Sequence, residues 1–193
     1  VACRDGRPNL CDNIFFMGSE SKTPHIQGCF ANYFDAIPAQ CVKIPDEIPL
    51  GVACLIGCGV LTGIGSVLNR TSLGLGPTCA VFGVGGVGLN VIQGARAKGA
   101  SRIVAIDTLP EKEQAARDFG ATDFIDGRRD DVVDAICGLE PFSDEQLRGP
   151  FNAGGVDWAF DCVAIPPVTH NAFESLDWGG TLVVIGVSGM TTE

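Results

Sequence analysis

The sequence predicts an α/β protein built on a doubly wound parallel sheet, and three observations carry that expectation. Apolar runs of strand length alternate with helix-length segments from residue 77 to 187. The turn after the first run holds Gly83, Gly85 and Gly88 in the spacing G-x-G-x-x-G. An acid, Asp107, closes the next apolar run about 20 residues further on.

Taken in order, Ala80 to Phe82 reads as a buried strand, followed by the glycine turn. Each glycine has a task there: a tight turn, backbone room for a pyrophosphate, and close packing of helix on strand. Val87, Val91, Ile92 and Ala95 recur at helical spacing and give a sheet-facing stripe. The helix would aim its unpaired N–H groups and positive dipole end at a pyrophosphate. Ile103 to Ile106 is the second strand. Asp107 at its end could take both hydroxyls of an adenosine ribose. A 2′-phosphate about 4 Å from that carboxylate would cost on the order of 4 kcal/mol at an effective dielectric of about 20, roughly a thousandfold, so NAD is expected over NADP.

The alternation continues. Pro110 to Phe119 is a helix with proline in its first turn and Gly120 past its end. Asp123 to Asp126 is a third strand, and Asp130 to Cys137 a helix whose Val132, Val133 and Ile136 can face the sheet. Val156 to Val163 is the fourth strand, Pro167 to Leu176 a helix with His170 facing solvent, and Thr181 to Val187 the fifth strand. The expected strand order is 3-2-1-4-5, without the sixth strand of a full dinucleotide fold.

Upstream the pattern is less regular. Ala31 to Ala36 and Cys41 to Ile44 are strand-like between Pro38 and Pro45. Ile48 to Leu68 carries no charge and is long enough to span a membrane, but Pro49, Thr62, Ser66 and five glycines argue against one spanning helix. Two short helices are expected, Val52 to Ile56 and Val60 to Leu68, broken at Gly57-Cys58-Gly59, with Cys54 in the core.

A net charge of −10 argues against nucleic acid or an anionic membrane as partner. Nine cysteines, an odd number scattered through apolar runs, read as reduced thiols or metal ligands of a cytoplasmic protein rather than a disulfide framework. Composition alone makes Cys3 and Cys11 surface thiols.

The spacing Cys3-x7-Cys11, the runs GCFANY and ACLIGCGVLTGIGSV, the turn GVGGVG, and IDTLPEK followed by FGATDFID together resemble the zinc-containing medium-chain alcohol dehydrogenases, most nearly their class III branch. The resemblance covers nearly all of the chain except 138 to 153, which looks longer than in the family. It implies a partial GroES-like catalytic domain over residues 1–57 and an incomplete Rossmann domain over 58–193. By position, Cys58 matches a ligand of the catalytic zinc, and Cys3 and Cys11 match two cysteines of the structural zinc lobe. Thr62 and Val87 match residues lining the nicotinamide ring. Gly83, Val84, Gly85, Gly86 and Gly88 form the pyrophosphate turn, and Asp107 holds the ribose with Lys112 as companion. Val163, Ile185 and Val187 fall along the cofactor path, and Ile165 stands where relatives can carry an arginine near the adenine.

The resemblance therefore implies hydride transfer between a small alcohol or aldehyde and NAD, with Zn2+ as Lewis acid, in a homodimer or homotetramer. The remaining zinc ligands and the proton relay would lie outside the chain, so the 193 residues are expected to be a central fragment, inactive and without full zinc affinity alone. Two other readings stand beside this one: a polyol or aryl-alcohol dehydrogenase of the same superfamily, and a non-catalytic nucleotide-binding module, against which Cys58 argues.

Overall fold

The computed structural model describes residues 32–33, 41–71, 76–139 and 154–187. Contacts divide the chain into two compact units, Val1–Glu47 and Ile48–Glu193, and every element below belongs to the second. Residues 41–44, expected as a strand, take neither helix nor strand.

The helical part opens with α1 (Leu50–Ala53) and runs through a π-helical turn, Ile56–Val60, into α2 (Leu61–Arg70). The expected break at Gly57-Cys58-Gly59 is thus a widened helical turn. A π turn absorbs the extra residue without ending the helix. The run Leu50–Arg70 is long and apolar enough to cross a membrane by length and composition. Its second half has another use: Gly63 and Val67 are buried against the helix that follows the glycine turn.

Among the described residues the sheet has five strands, β1 (Thr78–Phe82), β2 (Arg102–Asp107), β3 (Asp123–Asp126), β4 (Val156–Asp161) and β5 (Leu176–Val184), ordered β3-β2-β1-β4-β5 and all parallel. The connecting helices are α3 (Gly86–Ala97), α4 (Glu113–Phe119, entered by a 3-10 turn at Pro110–Lys112), α5 (Val132–Cys137) and α6 (Pro166–Glu174). Strand residues alternate between two cores, as the period of two requires. Cys79 and Val81 of β1 join Ile103, Trp158 and Phe160 under α2, α3 and α4. Ala80 and Phe82 join Val104, Ile106 and Ala159 under α5 and α6. Both faces are covered, which explains the nearly uninterrupted apolar reading of β1, β2 and β4.

Three further expectations shift. Cys54, placed in the core by its apolar neighbours, is exposed, its thiol donating to the Gly51 carbonyl at 3.2 Å. Val133 is only half-buried, because a six-residue helix turns just Val132 and Ile136 fully onto the sheet. The fifth strand begins at Leu176 rather than Thr181, since a bulge between Val156↔Leu176 and Trp158↔Thr181 absorbs the Trp178-Gly179-Gly180 turn, with Gly179 at φ +79°.

Candidate functional site

Strand order reverses at β1: the crossover through α3 goes to β2 on one side, while β4 lies on the other. The carboxyl ends of β1 and β4 therefore open a crevice, the place where doubly wound sheets receive ligands. A cavity of about 240 Å³ lies there, walled by Gly83, Asp107, Val163, Ile165, Val168 and Asn171 among others. A larger cavity, about 600 Å³, sits at the amino ends of β4 and β5, between the ends of α5 and α6, away from the glycine turn.

The glycine turn divides its labour as the residues require. Gly83 has φ +91°, a left-handed conformation that costs a side-chain-bearing residue about 1–2 kcal/mol. A Cβ on Gly88 would run into the Gly83 carbonyl oxygen, so the first turn of α3 rests directly on the loop. Gly85 and Gly86 are different: a Cβ on either would meet nothing within 4 Å. That open space faces the amino end of a twelve-residue helix whose N-cap, Gly85, supplies no side-chain hydrogen bond. Unpaired N–H groups, a positive dipole end and an empty cradle fit a dinucleotide pyrophosphate.

Asp107 is almost fully buried, 8% exposed, at the tip of β2. Its Oδ2 accepts from the Val84 N–H at 2.7 Å and from Lys112 Nζ at 2.9 Å, and its Oδ1 accepts from the Leu109 N–H at 3.0 Å. Burial acts to raise the carboxyl, but the hydrogen bonds from Lys112, Val84 and Leu109 and the lysine charge outweigh it, and the group is held below its ordinary range. The carboxylate is therefore charged at neutral pH. Both lone-pair directions of Oδ2 are taken, so Oδ1 has one left for a ribose hydroxyl. The second hydroxyl is better matched by Lys112 Nζ, which has donors to spare. The carboxylate and the lysine together, rather than the carboxylate alone, present the pattern of a vicinal diol.

Across the crevice, buried Asp161 shapes the loop after β4. Its Oδ1 accepts from the Val163 and Ala164 N–H groups at 2.9 and 2.8 Å, and its Oδ2 from the Thr169 hydroxyl at 2.6 Å. These bonds hold Ala164 at φ +57° and set Val163 against Gly83. Sequence reasoning passed over Asp161. The available signal was an acid ending a buried strand, the same signal that Asp107 gives.

On the helical side, Gly63 is the contact point: a Cβ there would stand 2.6 Å from the Val87 carbonyl oxygen and 2.5 Å from Asn90 Cβ. This approach brings Thr62 and the π turn carrying Cys58 to the amino-terminal half of α3. Thr62 and Cys58 are both exposed. Ile185 packs on the core under α3, tied by its N–H to the Asp161 carbonyl at 2.8 Å, whereas Val187 is 91% exposed and stands apart from the cavity.

Metal ligands are not gathered in the same way. Among the described residues no group of three or more His, Cys, Asp or Glu side chains could hold a metal ion. Cys3 and Cys11 lie outside the described residues. A zinc site takes four protein ligands, or three and an open position. Cys58 by itself does not satisfy that requirement.

A model of the zinc-binding dehydrogenase family matches residues 86–193, from the first turn of α3 onward. The chain belongs to that family. It is 35% identical over 209 residues to the S-(hydroxymethyl)glutathione dehydrogenase of Saccharomyces cerevisiae, covering 99% of this chain and 52% of the yeast protein. To the class-3 alcohol dehydrogenase of Myxine glutinosa it is 37% identical over 204 residues, covering 97% of this chain and 52% of that one. Among solved structures, a zinc-binding dehydrogenase from Sinorhizobium meliloti 1021 bound to NADP superposes with a TM-score of 0.78 at 28% identity, covering 100% of this chain and 52% of that one. The chain spans about half the length of the curated relatives it matches.

Proposed function

We propose that this chain is the dinucleotide-binding half of a zinc alcohol dehydrogenase that exchanges hydride between a primary alcohol, or a hydroxymethyl-thiol adduct, and NAD. The observation that carries the reading is Asp107: a buried, ionised carboxylate with one open lone-pair direction, beside a lysine, at the rim of the crevice. NAD supplies a hydride acceptor in its nicotinamide ring. The chain's own residues do the placing. The first turn of α3 holds the pyrophosphate over Gly85 and Gly86, Asp107 and Lys112 hold the adenosine ribose, and Val163 and Ile165 wall the adenine side. Thr62 and Val87 border the nicotinamide, with Ile185 and Val187 toward its carboxamide. Cys58 serves as one metal ligand, completed by donors from elsewhere in the protein, as Cys3 and Cys11 serve a structural site.

The relatives support the substrate class through the activities their names state, and an odd number of cysteines scattered through apolar runs supports a cytoplasmic setting. Assembly as a homodimer or homotetramer belongs to the same reading. The Sinorhizobium relative binds NADP, so cofactor choice is the informative test. Lys112 offsets part of the Asp107 charge, and the penalty on a 2′-phosphate is accordingly set at about tenfold or more rather than the full value for a bare carboxylate. In calorimetric titrations NADH is expected to bind at least about tenfold more tightly than NADPH, and Asp107→Ala to erase that gap by weakening NADH. Equal affinities in the parent, or an unchanged gap in the variant, would remove Asp107 from the role.

A further inference from the structure

The apolar cavity carries two polar side chains that the proposed function leaves unused, Thr108 just past the end of β2 and Asn171 on α6. Asn171 lines it together with Asp107 and Thr108. Its neighbours on that wall are Val163, Ile165 and Val168. Asn171 is half-buried, and its side-chain amide makes no hydrogen bond among the described residues, although its backbone carbonyl accepts from the Ser175 N–H at 3.0 Å. An amide offers one donor and one acceptor side by side, and an adenine edge presents the complement: the N6 amino group beside a ring nitrogen acceptor. Ile165 brings only apolar surface to that side.

Resting on the NAD reading, we infer that Asn171 is the base-reading residue of the site, pairing through its amide with the N6 amino group and an adjacent ring nitrogen of adenine. The cofactor's base is then selected by hydrogen bonding from α6, and the strand ends select its sugar. A good bidentate pair of this kind discriminates by roughly tenfold to a hundredfold.

The test is calorimetric binding of NADH and of its 1,N6-ethenoadenine analogue, which lacks the N6 hydrogens on either pairing edge, to the parent chain, to Asn171→Ala and to Asn171→Leu. Leu fills the space of the amide without its donors and acceptors, so the two variants separate bulk from pairing. The expected result is a preference for NADH of about tenfold or more in the parent, falling to within about twofold in both variants, with the analogue's own affinity little changed. Preference retained in Asn171→Leu would overturn the assignment while leaving NAD binding intact. Failure of the folded parent to bind NADH would instead overturn the reading on which the assignment rests.

Discussion

Asp107 and Asp161 close adjacent parts of the crevice and do so in opposite ways. Asp161 spends its oxygens on its own loop, accepting from two backbone N–H groups and the Thr169 hydroxyl. Asp107 keeps a direction open and a lysine in reserve. The glycines of the turn divide similarly, which gives a paired test. Gly88→Ala drives a methyl into the Gly83 carbonyl and should lose more than about 3 kcal/mol, read as a lowered urea midpoint. Gly85→Ala meets nothing in the protein, at φ −93° and ψ −168°, an extended conformation open to any residue. Its stability should stay within about 1 kcal/mol of the parent while NADH affinity falls by roughly tenfold or more, because the methyl occupies the pyrophosphate space. Normal NADH affinity in Gly85→Ala would mean that the cradle lies elsewhere.

At the level of elements, the docking of α2 on α3 decides where Thr62 and Cys58 stand. Gly63 sets the closeness at one end. Lys98, just past α3, secures the other: its Nζ donates to the Val67 carbonyl at 3.1 Å, the Thr71 carbonyl at 2.7 Å and the Thr71 hydroxyl at 2.8 Å, and it lies 5.2 Å from the centre of the Trp158 ring. A cation thus satisfies the last carbonyls of α2, where the helix dipole favours it. Lys98→Met keeps the stem and removes the donors, and should cost about 1–3 kcal/mol in urea unfolding. No loss would mean that water caps α2 equally well. Sequence patterning could not have found this contact. It fixes which face of a helix is apolar, but a lysine reaching 27 residues back along the chain leaves no periodic trace. The same blindness placed Cys54 in the core: α1 lies in an apolar run, but packing covers only the later part of that run.

For the whole molecule, acid stability follows from two carboxylates. Arg102 grips Asp123 through two hydrogen bonds of 2.8 Å, joining the starts of β2 and β3. The Arg102 hydrogen bonds hold Asp123 below the usual 3.8, and Asp107 is held below it as well. Because both values are depressed on folding, their contribution is present in full above the unfolded value and disappears as pH falls through the lower folded values. Urea midpoints should therefore be level between about pH 7 and 5 and drop below about pH 4, with the drop reduced in Asp123→Asn. A parent curve flat to pH 3 would show that neither group is linked to folding.

The nearly unbroken apolar strands, the glycine turn and the acid at the end of the second strand determined a doubly wound sheet in the order 3-2-1-4-5 and the place of its crevice. Those features act through local spacing and burial, which a chain records directly. Only the tertiary structure decided that Asp107 Oδ2 is taken up by the Val84 N–H and Lys112 Nζ, that the Gly57-Cys58-Gly59 segment is a π turn within a helical run, that Asp161 arranges the facing loop, and that Asn171 on α6 lines the cavity. The Val84–Asp107 bond and the cavity wall join residues far apart in sequence, while the π turn and the Asp161 loop are local hydrogen-bond choices that apolar spacing does not record.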